Sequence, residues 1–144
     1  MPKLILLAIL LLVTVHFIAC KKDKQNNPYC VLNETNLAGT YKYGAVTYKA
    51  SPTSSAVNAS ALLDSCSIDD VITLGANHMY TYTDAGMKCV PSGDGTGTWS
   101  LQGNIFNASS DSGPIENFTC TSFTVANADF FNTGDTLLIT FKKQ

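Results

Sequence analysis

A chain of 144 residues with 9 lysines, no arginine and 11 acids has room for one hydrophobic core and carries no basic stripe. Without arginine it lacks the bidentate fork that reads phosphates and guanine edges, which argues against nucleic-acid binding.

The chain opens as an export signal. Lys3 supplies a short positive region, and Leu4 to Val15 run apolar apart from Thr14. Phe17-Ile18-Ala19 then lead into Cys20, and a small residue directly before cysteine is what a lipoprotein signal peptidase requires. Cleavage there, with acyl chains such as palmitate on the thiol and the new amine, makes a firm anchor. Each buried CH₂ contributes about 0.8 kcal/mol, so two or three chains hold where one is marginal. Secretion past an incidental cysteine and an uncleaved membrane helix are the rival readings. The helix is the weaker, because the apolar run is shorter than the ~20 residues a span needs and His16 sits near its end. Phe17 departs from the leucine usual at that position.

Residues 1–19 are therefore read as a lipoprotein signal peptide and 20–36 as a lipid-anchored tether. Lys21, Lys22 and Lys24 make the tether polar, and Asn26-Asn27-Pro28 interrupt any regular structure. Lysine rather than aspartate after Cys20 favours an outer-membrane address. The expected location is thus the cell envelope, lipid-anchored in the outer membrane on its periplasmic face or at the cell surface, with the membrane itself as the first partner. Without the leader 8 lysines face 11 acids, a net charge of −3.

Four cysteines remain: Cys30, Cys66, Cys89 and Cys120. An even number in an exported chain reads as two disulfides, in any of three connectivities. A metal site is the rival, but no C-x-x-C spacing occurs and the mature chain keeps a single histidine, His78.

The folded body is expected to begin near Leu37. Gly39 to Tyr48 alternates as a strand, with Tyr41, Tyr43 and Ala45 on one face and Lys42 and Val46 on the other. Ser51 to Ser60 is a polar loop, and Ala61-Leu62-Leu63 adds at most a helical turn. Asp70 to Leu74 and Met79 to Thr83 form a hairpin across Gly75-Ala76-Asn77. Gly86 to Gly97 reads as a long irregular connection holding Pro91. Thr98 to Leu101 and Ile105 to Ala108 make a second hairpin across Gln102-Gly103-Asn104. Ile115 to Val125, broken near Cys120, and Thr136 to Phe141, after the turn Asn132-Thr133-Gly134-Asp135, complete the chain. No helical period survives beyond a turn or two, so the pattern predicts an all-β antiparallel meander, closed as a barrel or folded as a sandwich.

Catalytic chemistry finds little support. His78 lies at a hairpin turn, no G-x-S-x-G elbow occurs, and paired cysteines leave no thiolate. Asp64, Asp69 and Asp70 cluster around Cys66 and suit calcium or acid–base work, but aspartate also favours turns, where it satisfies nearby amides. Gly93-Asp94-Gly95-Thr96-Gly97 lacks the lysine of a phosphate loop and leads into a strand. No enzymatic activity, catalytic residue, metal or cofactor is expected.

In order along the chain, Leu37-Ala38-Gly39-Thr40-Tyr41, Cys66-Ser67-Ile68-Asp69-Asp70, Tyr80, Cys89 and Gly97-Thr98-Trp99-Ser100-Leu101 resemble the lipocalin-like domain family of Bacteroidota lipoproteins. The resemblance covers about residues 37–142, and Tyr41 stands where tryptophan is commoner. It implies an up-and-down β-barrel of about eight strands at residues 37–144, with no general enzymatic activity. It also implies a Cys66–Cys89 disulfide, which leaves Cys30 to Cys120. The two Gly-Thr-aromatic motifs are expected to bring Tyr41 and Trp99 near one another under the barrel floor. Such a barrel is just wide enough to be filled by side chains or to hold one small ligand. The candidate ligand-binding residues are Tyr41, Tyr43, Tyr80, Tyr82, Trp99 and Phe106. Binding of a small apolar ligand is one expected function. The other is a filled barrel that engages a partner, of unknown identity, through its surface or the loops Ser51–Ser60 and Gly86–Gly97.

Overall fold

Aromatic and β-branched residues alternating with polar ones make strands wherever turn residues let the chain reverse. The computed structural model describes residues 30–108 and 111–144, so Cys20 and the lysines beside it lie outside the described residues. A one-turn helix, α1 (Glu34–Leu37), precedes β1 (Gly39–Lys49), β2 (Val57–Asn58), β3 (Val71–Leu74), β4 (Met79–Thr83) and β5 (Gly95–Thr98). Then follow β6 (Ser100–Gln102), β7 (Ile105–Asn107), β8 (Ser112–Thr119), β9 (Ser122–Ala128) and β10 (Thr136–Lys143).

All pairings are antiparallel, in the order β5-β4-β3-β1-β10-β9-β8-β7-β6, with β2 added to β1. The two ends of that order, β5 and β6, are consecutive pieces of chain separated only by Trp99. Counted as one bent strand, and with the two-residue β2 set aside, they leave eight walls of a nearly closed barrel. The first long strand and the last, β1 and β10, make its closing seam, from Tyr41 opposite Lys143 to Lys49 opposite Thr136.

Three departures from the sequence reading have physical causes. A bulge between Tyr43 and Ala45 breaks the alternation of β1. An extra residue flips the faces beyond it, so Val46 is buried with Tyr41 while Ala45 is exposed. Residues 95–97, read as irregular, form most of β5. There Gly97 and Gly95 stand opposite Tyr80 and Tyr82, and glycines that bring no side chain of their own hid the strand from the sequence. The segment read as tether is folded from Cys30 onward. Asn33 caps α1 by accepting from the Asn36 amide at 2.8 Å, Leu37 is fully buried, and Leu32 packs on the core.

The interior is a chain of aromatic rings. Phe123 packs edge-on against Tyr41 at 5.0 Å and stacks on Phe141 at 4.9 Å, with Phe106 at 5.5 Å. Trp99 lies 6.4 Å from Phe106, and Tyr43 lies 5.5 Å from Phe141. Thus Tyr41 and Trp99 are joined through Phe123 and Phe106. Gly113 permits close approach of β8 to β9, because a Cβ there would run into the Ala126 carbonyl. The cysteines pair as Cys66–Cys89 and Cys30–Cys120, with Cα atoms 5.2 and 5.5 Å apart. Cys120 sits in the β8–β9 turn, so the chain comes into the barrel at that end.

Candidate functional site

The six aromatic candidates do not share one cavity. Tyr80, Tyr82 and Phe106 line the interior space with Ile72, Leu74 and Phe141, while Trp99 lines two separate hollows of about 260 and 150 Å³ and Tyr41 is packed into the core. The interior space is only about 10 Å³. That is on the order of one water, against the ~300 Å³ or more of an ordinary ligand pocket.

Above this space the barrel is polar. The Tyr82 hydroxyl donates to Asp70 Oδ2 at 2.5 Å, and Asp70 Oδ1 accepts from the Ala85 amide at 2.9 Å. Burial, then the bond to Asp70, pushes the Tyr82 hydroxyl up to about 12, and burial alone pushes Tyr41 to about 12. Burial together with Asp111 raises Tyr43 as well. A raised tyrosine pKa means that the folded chain holds its protons longer than the unfolded one. The stability these groups contribute is present below 10 and falls as pH rises from 10 towards 12. In an alkaline titration the tyrosinate absorbance of Tyr41 and Tyr82 is expected to appear only near 12, together with loss of structure. A smooth transition centred on 10 for every tyrosine would contradict the packing described.

The loop from Asp84 to Asp94 is organised by carboxylates. Buried Asp84 accepts from the Cys89 amide at 3.2 Å and the Gly93 amide at 3.4 Å, and its own amide donates to Asp94 at 2.8 Å. Lys88 Nζ donates to the Asp84 carbonyl. Asp69 accepts from the Met87 amide at 3.0 Å, directly against Gly86, whose φ of +54° and whose contact with Asp69 leave no room for a Cβ. Of the acids that read as calcium or acid–base candidates, Asp70 and Asp69 each accept a loop amide, Asp69 Oδ1 is buried without a hydrogen-bond partner among the described residues, and Asp64 contributes its backbone carbonyl to the Ser67 amide. Asp70, Asp84 and Cys89 approach one another within 4.8 Å, but Cys89 is bonded to Cys66 and offers no thiolate. This frame holds Met87 and Val90 out, at 60% and 98% exposure.

The β9–β10 turn is built the same way. Buried Asp135 accepts from the Asn132 amide at 2.8 Å, the Phe131 amide at 3.1 Å and the Tyr48 hydroxyl at 2.8 Å. Burial raises its pKa, yet the bonds from Tyr48, Asn132 and Phe131 outweigh it and hold the carboxyl below its ordinary value. The turn presents Phe130 and Phe131, 46% and 56% exposed, ring against ring at 4.6 Å. Sequence reasoning missed this pair. Its signal was two adjacent aromatics that no strand alternation accounts for, next to turn residues.

At the opposite end Trp99 Nε1 donates to the Gly75 carbonyl at 2.9 Å. His78, held at φ 62°, lies over the indole at 5.5 Å with Nε2 3.8 Å from Glu34. Among the described residues no serine or cysteine is hydrogen-bonded to it, so the arrangement is not a triad.

An antiparallel, nearly closed barrel with an aromatic interior defines the class of fold. Residues 37–128 match the family model described as a lipocalin-like domain, and the chain belongs to that family. No curated protein and no solved structure matches it.

Proposed function

We propose that the protein is a non-catalytic envelope lipoprotein, anchored through Cys20 to the outer membrane, whose filled barrel displays loops to a protein partner. The observation that carries this reading is the contrast between an interior space of about 10 Å³ and apolar side chains held out on stiffened loops. Phe130, Phe131, Met87 and Val90 are presented by backbone already fixed by Asp135 and Asp84. Preorganised side chains lose little freedom when they bind. The leader and Ala19-Cys20 support the anchor.

A second reading, a small apolar ligand, draws support from the apolar wall of Ile72, Leu74, Phe106 and Phe141 and from the side-chain-free faces of Gly95 and Gly97. One set of measurements separates the two. The Cys20→Ser variant is expected to leave the membrane fraction and to lose fatty-acid labelling. Protein purified from its own host is expected to carry no small apolar mass in native mass spectrometry. A panel of fatty acids and aromatic probes should leave Trp99 emission and the melting temperature unchanged. A ligand at a hundred times its Kd would add about 2.7 kcal/mol, so a real one is easily seen. Its appearance would move the assignment to ligand binding.

A further inference from the structure

Charge is unevenly spread along the barrel axis. At the end where Cys30 meets Cys120, Lys42 on β1 stands directly opposite Lys142 on β10, and Lys142 is in register with Ser122 beside the β8–β9 turn. Like charges side by side across a strand pair repel. Among the described residues neither lysine has a carboxylate within ion-pair distance. The side chains around them are hydroxyls, with Thr40 bonded to Thr73 and Thr124 to Thr140. Lys143 is turned away, donating to the Asn36 carbonyl at 3.1 Å. Of the acids nearest this end, Glu34 is engaged by His78, and Glu116 is exposed part-way along β8, with no ion pair to either lysine. The aspartates from Asp64 to Asp135 lie outside the strands, in loops towards the other end, where Lys49 and Lys88 are the cations.

We propose that the face formed by Lys42, Lys142 and the neighbouring threonines rests on anionic lipid headgroups of the membrane that holds the anchor. The inference depends on the reading of Cys20 as the lipidated residue. Charge complementarity selects the occupant, and the position of the chain outside the described residues selects the orientation. The stretch from Cys20 to Cys30 reaches at most ~35 Å when fully extended. It joins the anchor to the Cys30–Cys120 end, and it carries Lys21, Lys22 and Lys24 against Asp23. The aspartate-rich end is repelled and points outward, which turns Phe130 and Phe131 away from the membrane. Each lysine close to an anionic surface changes partitioning by about fivefold.

The test uses the full lipoprotein, purified with its acyl chains and reconstituted on vesicles, with lysine acetylation mapped by mass spectrometry. On vesicles containing phosphatidylglycerol, Lys42 and Lys142 are expected to be protected several-fold relative to vesicles of phosphatidylcholine alone, while Lys49 and Lys88 react alike on both. Salt should remove the protection, and in each single variant, Lys42→Glu or Lys142→Glu, the remaining lysine of the pair should lose most of its protection without the melting temperature falling. Equal labelling on the two vesicle types would defeat the proposal. So would protection that persists in detergent, because that would identify a protein covering the face. Intact mass of the same sample reports the acyl chains and so tests the Cys20 reading separately. Should the chain prove unacylated, flotation with phosphatidylglycerol vesicles alone would still support the lysine face, and no flotation would refute it.

Discussion

Replacing Phe123 with alanine is expected to lower stability by about 3–5 kcal/mol, the range for truncating a fully buried phenylalanine. Phe123 is 2% exposed and touches the rings of Tyr41, Phe106 and Phe141, so its loss leaves a hole that strands on three sides must collapse to fill. The barrel limits that collapse, because each wall is fixed by its neighbours. A small domain keeps only about 5–15 kcal/mol in all, so the variant should unfold at much lower urea and with an unchanged m-value. Phe130→Ala, on an exposed ring, should change stability far less. A small loss for Phe123→Ala would mean that the interior is loosely packed, and the filled-barrel reading would fail with it.

Removal of the Cys30–Cys120 bridge as the double serine variant is the second large effect. It closes a loop of 90 residues, and the chain-entropy account gives about 4–5 kcal/mol for a loop of that length. Cys66–Cys89 closes 23 residues and should contribute about 3–4 kcal/mol. Urea unfolding of the two double variants orders them, the long loop losing more. Proteolysis without reduction checks the pairing itself: a peptide linking Cys30 to Cys66 or to Cys89 would refute it.

What the sequence disclosed depended on whether a feature was local. The β3–β4 hairpin was legible because Gly75 to Asn77 sit between two runs of strict alternation, and the Cys66–Cys89 pair followed from the likeness to the lipocalin-like family. The bulge at Gly44–Ala45 was not legible, since only pairing with β10 reveals the extra residue. Glycines hid β5, because its strand character comes from Tyr80 and Tyr82 across the sheet. The aspartates read as turn formers, which they are, but that Asp84 and Asp135 would be buried at the centre of their loops needed the loops to be closed. Of the six ring candidates, three came together at the interior space. The others were drawn off by packing partners distant in the chain, such as Phe123 for Tyr41 and Gly75 for Trp99.

The seam between β1 and β10 sets the order of events when the protein is made. Tyr41 must wait for Lys143, and Lys49 for Thr136, so the contacts that shut the barrel join nearly the whole length of the domain. Pairings between such distant parts of a chain form slowly, because the intervening segment must first be brought round. A chain made from its N-terminus onward cannot make them until its last residues have been added. Throughout that interval the exposed edge of β1 and the aromatic interior are open to other chains. For this small barrel, the interval between the making of β1 and closure by β10 is the stretch in which protection by a chaperone matters most.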